Sequence, residues 1–154
     1  MKCQYLQNQF QILAKAINTA TKYAGDPDIS YMLSGHLTVL ISGIYEDCVE
    51  YLFISRAGKT KDKAIESLVK TLIDQQFRNP DYDKIQNLLK GLGPTYANQF
   101  KKAIGSANKD ALNSIVMNKN LIAHGNPWNT TLNDVVEFHK KAQMIFEVLE
   151  KILE

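Results

Sequence analysis

The 154-residue chain has only two cysteines, Cys3 and Cys48, and three histidines. Neither cysteine stands in a CxxC pair, so no zinc site is expected, and no cofactor. Two free thiols suit a reducing compartment, and the expectation is a cytoplasmic protein. Net charge is nearly absent: 18 Lys+Arg against 16 Asp+Glu leaves +2. That balance does not announce a polyanionic partner, although a local basic patch counts for more than the sum. Long apolar runs are missing too. The most apolar one, residues 37–45, is broken by Thr38, Ser42 and Gly43 and is too short to span a bilayer. The start, Met1-Lys2-Cys3-Gln4-Tyr5, leads into Gln- and Asn-containing sequence that does not resemble a secretory signal. Finally, no convincing alternating strand, internal repeat, low-complexity tract or linker is present, so residues 1–154 read as one domain.

What is present is helical spacing. Leu6, Phe10, Leu13, Ile17, Ala20 and Ala24 step by four and three and predict a first helix, ended by Gly25-Asp26-Pro27. Leu33, Leu37, Leu40, Ile44, Cys48 and Tyr51 form a second stripe. Val39, Ile41, Tyr45, Val49 and Leu52 add apolar residues on its other sides, which predicts a central, buried helix. A third helix carries Ile65, Leu68, Leu72 and Ile73 and stops before Asn79-Pro80. Short helical pieces follow around Ile85, Leu88 and Leu89, then Tyr96, Phe100 and Ile104, punctuated by Gly91, Gly93 and Gly105. The next helix starts near residues 108–110. The last begins at Thr131, with Asp134 three residues on, a capping-box-like start, and carries Val135, Phe138, Ala142, Ile145, Leu149 and Ile152.

The penultimate helix holds a contradiction. Its apolar face is Leu112, Ile115, Val116, Ile122 and Ala123, and Lys119 falls on that same face. A charge there is costly unless it is paired, opens into a cleft, or snorkels to the surface. The central helix offers a partner, because Thr38, Ser42, Glu46 and Glu50 are spaced by four and make a polar stripe. Either Glu46 pairs with Lys119 across a helix contact, or the stripe is a solvated face. His124 is followed by Gly125, which reads as the residue that closes the helix, and Pro127 prevents continuation. On an ideal helix, Lys119 and His124 lie about 7.5 Å apart along the axis and roughly 140° apart around it. They do not converge within one helix, whereas Asn120 and His124 share a face. A site using both Lys119 and His124 needs fraying at Gly125 or a second subunit facing the first.

The segment Ser114-Ile115-Val116-Met117-Asn118-Lys119-Asn120-Leu121-Ile122-Ala123-His124-Gly125 resembles the signature of HEPN domains, often written RNxxAHG. The central Leu40-Ile41-Ser42-Gly43-Ile44-Tyr45-Glu46 resembles the second-helix segment of the RiboL-PSP-HEPN branch. The resemblance implies an all-α, antiparallel helical bundle with a long buried central helix and additional short helices. It also implies a homodimer whose two motifs share a cleft across the twofold axis. For active members it implies metal-independent endoribonuclease activity in toxin–antitoxin, phage-defence or related systems, with RNA as substrate and an antitoxin or neighbouring defence protein as partner. By position, His124 matches the catalytic His, Asn120 the Asn after the Arg, and Lys119 the Arg itself. Lys keeps the charge and loses the planar fork that Arg offers a phosphate. The site residues expected on these grounds are Lys119, Asn120, His124 and Glu46. The alternative is a non-catalytic HEPN module that binds RNA, a nucleotide or a protein, and a third is a purely structural helical oligomer.

Weaker signals remain. His36 and His139 lie on helices in apolar surroundings and read as structural. Trp128, the only Trp, reads as packing the loop against the last helix, with base stacking as the other option. Lys59, Lys61 and Lys63, with Lys101-Lys102 and Lys140-Lys141, form an RNA track only if the fold gathers them, and otherwise a solvated surface.

Overall fold

Asp26 and Pro27 start the element around which everything else is arranged. In the computed structural model, which describes residues 1–154 with the side chain of Gln76 excepted, the Asp26 carboxylate accepts the backbone N–H groups of Asp28 and Ile29, each at 3.1 Å. Pro27 sits where its missing N–H costs nothing. The helix it opens, α2 (Pro27–Gly58), runs 32 residues, about 48 Å. Leu37, Ile41, Tyr45, Cys48 and Val49 are at most 1% exposed, so the helix lies in the core as its apolar residues predict. It packs against α1 (Gln4–Ala20), α3 (Lys63–Gln76), α6 (Ser106–Ala123) and α7 (Leu132–Leu153), while α4 (Tyr82–Leu92) and α5 (Pro94–Ala103) pack on each other and reach the core through α6 and α7. Among the described residues there are seven α-helices, a 3-10 turn and no strand, and no helix is long and apolar enough to cross a membrane. The fold is all-α.

The core is aromatic at its centre. Phe10, Tyr45 and Phe146 cluster, with the Tyr45 and Phe146 rings 4.3 Å apart. His139 is buried among them and shares a 2.8 Å hydrogen bond between its Nδ1 and the Tyr45 hydroxyl. Burial pushes the imidazole down to about 4 from its ordinary 6.5, so it stays neutral at physiological pH. This is the structural histidine that the sequence predicts.

Several expectations need correction. The first helix ends at Ala20, and a 3-10 turn covers Thr21–Tyr23, leaving Ala24 outside the helix. The Thr19 and Thr21 hydroxyls bond the Lys15 and Asn18 carbonyls, which offers the backbone local alternatives to another α-turn. The start of α1 is capped from a distance: Glu150 of α7, only 4% exposed, accepts the Lys2 N–H at 2.7 Å and also the Cys3 N–H. The motif helix begins at Ser106, slightly before residues 108–110. The stripe on α3 does not go inside. Ile73 is buried, but Ile65, Leu68 and Leu72 stand 43%, 59% and 43% exposed, because α3 packs principally on α2 alone. His36 has the apolar neighbours expected, Ala16, Ala20, Leu33 and Leu37, but it is exposed at the mouth of a shallow cleft and not buried among them. The capping box at α7 forms as read: Thr131 Oγ1 accepts the Asp134 N–H, and the Asp134 carboxylate accepts the Thr131 N–H.

Candidate functional site

The end of α6 is built by hydrogen bonds that its sequence dictates. Gly125 takes φ +69°, which an L side chain rarely adopts, and its N–H bonds the Ile122 carbonyl at 3.0 Å. The Asn126 N–H reaches back to the Leu121 carbonyl at 2.9 Å. These two bonds are the Schellman pair, and they leave His124 as the exposed residue that caps the C-terminal end of the helix. Asn120, one turn earlier on the same face, is half-buried, and the His124 N–H donates to its carbonyl. Of the apolar face read from the sequence, Leu112, Ile115 and Val116 are buried, Ile122 is half-buried and Ala123 is exposed. The helix lifts away from the core as it nears its end.

Lys119 points to the other side. Its Nζ donates to the Asn79 side-chain carbonyl at 2.6 Å. The Asn79 N–H in turn donates to Glu46 Oε2 at 3.0 Å. Glu46 and Lys119 are therefore joined through Asn79, and among the described residues they form no direct ion pair. The bridge depends on backbone geometry. Asn79 sits at φ +59°, in the left-handed region that Asn tolerates better than most residues, and this sends its N–H toward α2 while its carboxamide meets α6. Arg78, its neighbour, holds NH1 3.7 Å from Glu46 and 3.8 Å from Glu50, with its side chain 63% exposed. Burial raises the Glu50 carboxyl above its ordinary range; Glu46, Asp47 and Asp74 add to the rise and Arg78 opposes it.

The polar stripe on α2 is not a solvated face. Thr38 and Ser42 are buried, and Thr38 satisfies itself by donating to the Ser34 carbonyl at 2.8 Å. The Ser42 hydroxyl has no partner among the described residues. Toward the N-terminal end the same stripe receives Trp128, whose indole N–H donates to Ser34 Oγ at 3.1 Å and whose ring stacks on Tyr31 at 4.4 Å. A Cβ on Gly35 would lie 2.6 Å from the Trp128 ring, so only glycine lets the indole lie so close. Trp128 thus fastens the loop after the motif, but to α2 rather than to the last helix.

Sequence reasoning missed Asn79 and Arg78, because an Asn before Pro after an apolar stripe reads only as a helix stop. Three of the lysines are engaged locally. Lys59 caps the end of α7 through the Leu153 and Glu154 carbonyls, Lys63 pairs with Glu66, and Lys140 pairs with Glu137. Among the described residues, no group of three or more His, Cys, Asp or Glu side chains is placed to hold a metal.

The site thus has two parts on one helix end: a tethered ammonium toward the core, and an amide and an imidazole facing outward. The family model for RiboL-PSP-HEPN matches residues 4–154. Comparison with curated proteins and with solved structures finds no match. Because the matched stretch runs through every helix that builds this site, the chain belongs to the RiboL-PSP-HEPN family.

Proposed function

We propose that the protein is a metal-independent endoribonuclease that acts as a homodimer, with the α6 ends of two copies facing each other. The observation that carries this reading is the tethered Lys119. Its ammonium has three donors, and Asn79 takes one, so a fixed cation keeps capacity for a phosphate oxygen. On the neighbouring face, Asn120 and the exposed His124 stand at the helix end, about 100° and 140° around from Lys119 on an ideal helix. A second copy supplies the missing half without any unwinding.

The chemistry is transesterification. A neutral His124 takes the proton of a ribose 2′-hydroxyl, and that oxygen attacks the adjacent phosphorus. The bond from phosphorus to the 5′-oxygen breaks, and the protonated His124 of the second copy delivers a proton to that leaving oxygen. Lys119 balances charge on the phosphorane, and Asn120 orients the phosphate or the ribose. The products are a 2′,3′-cyclic phosphate and a 5′-hydroxyl, and DNA, lacking the 2′-hydroxyl, is inert. Glu46 acts through Asn79 as a positioning residue. A toxin or phage-defence role, held in check by an antitoxin or a neighbouring defence protein, belongs to the same proposal.

One observation favours a second reading. At position 119 a lysine stands where the family signature has arginine, and its ammonium is committed in part to the scaffold. A non-catalytic module that binds RNA or a protein partner would need no more than that. Labelled RNA incubated in EDTA with the parent and with His124→Ala separates the two. Cutting by the parent alone supports the enzyme. Binding without cutting by both proteins supports the module. Light scattering that finds only monomer at assay concentration removes the composite site.

A further inference from the structure

Between α4 and α6 lies an open cleft of about 530 Å³, separate from the Lys119 tether. Its α6 wall is Asn113, Val116, Met117 and Asn120. Residues 113, 117, 120 and 124 step by four, three and four, so the face that lines the cleft continues directly into His124. From Met117 to His124 is about 10 Å along the helix axis, within reach of a neighbouring nucleotide.

The cleft has unused hydrogen-bonding capacity of a definite kind. Asn113 Oδ1 accepts the Tyr82 N–H at 3.0 Å, which fixes the amide and turns its NH2 into the remaining donor. Asn87 Oδ1 accepts from Lys90 at 3.2 Å, leaving its NH2 in the same position. Asp81 is committed as the cap of α4, accepting the Lys84 N–H, but Asp83 is 71% exposed and only 3.5 Å from Lys109 on one side. Met117, 59% exposed, offers a flat apolar surface beside these groups. Asp81 and Asp83 are balanced by Lys84 at 3.8 Å and Lys109 at 3.5 Å, so the rim has no spare charge for a phosphodiester, whereas the Lys119 ammonium keeps donors for one. A nucleotide is therefore sorted: phosphate toward His124 and the Lys119 of the facing copy, base toward the cleft.

We propose that this cleft is a base-reading subsite that takes an unpaired adenine or cytosine next to the cleaved phosphate. Both bases place an exocyclic amino group beside a ring nitrogen that accepts. The amino group donates to Asp83, and the ring nitrogen accepts from the Asn113 NH2, with Asn87 holding the rim. Met117 carries the ring face. Uracil and guanine present a ring N–H and a carbonyl at the corresponding edge, so the Asn113 NH2 meets a donor and Asp83 meets an acceptor. This deepens the ribonuclease reading and rests on it for the placement of the phosphate.

The test is a pool of RNA randomised around one cleavable step, cut by the parent and by Asn113→Asp, with the ends sequenced. Asn113→Asp keeps the acceptor for Tyr82 and removes the donor, so the fold is retained. The parent is expected to prefer A or C over U or G by about 10-fold at one fixed position from the cut. Asn113→Asp is expected to erase that preference, read as the ratio of A or C to U or G among the cut ends of the same pool. No preference in the parent, or the same preference in the variant, overturns the subsite. A second measurement does not depend on catalysis. In His124→Ala, the side-chain amide resonances of Asn113 and Asn87 are followed by NMR during titration with adenosine, cytidine or uridine. Movement with the first two and not with uridine supports the subsite, and no movement with any overturns it. A parent that cuts nothing while these amides still respond to adenosine refutes the ribonuclease reading alone.

Discussion

Tyr45 and Glu46 are neighbours on α2, yet they anchor opposite kinds of polar cluster. Tyr45 faces the core, where its hydroxyl and His139 Nδ1 satisfy each other among Phe10 and Phe146. Glu46 faces the α3–α4 loop, where its carboxylate fixes Asn79 and, through it, Lys119. The first cluster is closed: its groups are buried and matched, and its effect is to specify packing. The second is open: the ammonium keeps spare donors and Arg78 stands half out in solvent. Two histidines follow the same division, His139 sealed at the Tyr45 side and His124 exposed at the helix end. Polar groups that exhaust their capacity internally hold the fold, and those that retain it are the ones able to meet a ligand.

The largest expected effect exchanges the phenotypes of the two histidines. His124→Ala should lower RNA cleavage by about 100-fold or more and leave the melting temperature unchanged, read by a gel assay beside calorimetry. His139→Gln should do the reverse. If His124→Ala unfolds the protein, the division between open and closed clusters fails.

The pH dependence of stability comes next. His139 is neutral in the fold down to about 4, whereas in the unfolded chain it binds a proton near 6.5. As pH falls through 6.5 the unfolded state gains a proton that the folded state does not, so stability declines until about pH 4 and is flat above pH 7. The contribution is up to about 3 kcal/mol. Urea titrations at pH 7.5 and pH 5 should show this loss, and His139→Gln should show less of it.

A sharper comparison lies within the open cluster. Asn79→Gly and Asn79→Ala both release Lys119, but only alanine must hold φ +59°, at an extra cost of about 1 kcal/mol. Equal cleavage defects with unequal melting temperatures would show the bridge and the backbone acting separately. Equal melting temperatures would remove the role given to the left-handed turn. The smallest effect is a gain: Lys119→Arg should raise cleavage several-fold by supplying a planar fork, and no gain favours the binding module.

Much of this was legible in the chain. The length and apolar roundness of α2 predict its burial, Gly125 and Pro127 mark the end of α6, and Thr131 with Asp134 marks the start of α7. Each is a local signal, confined to one turn or one helical period. What could not be read depends on distant pairing. Asn79 meets residues 33 and 40 positions away in sequence. Glu150 caps a helix 147 positions away, and Trp128 lands on a helix rather more than 90 residues before it. The placement of Lys119 on an apolar face signalled that something must receive it, but not what. The exposed stripe on α3 marks the opposite failure, since the period is correct and nothing in the fold uses it fully.

The seat of Trp128 has an optical consequence. It is the only tryptophan in the chain, and it lies on the short loop that leaves His124, stacked on Tyr31. Its emission therefore reports on that loop without any label. RNA or a second copy arriving at the α6 end and shifting the loop would change the indole's contact with Tyr31 and Ser34. Tyrosine-excited transfer and emission wavelength would follow that event on the time scale of mixing, in the unmodified protein.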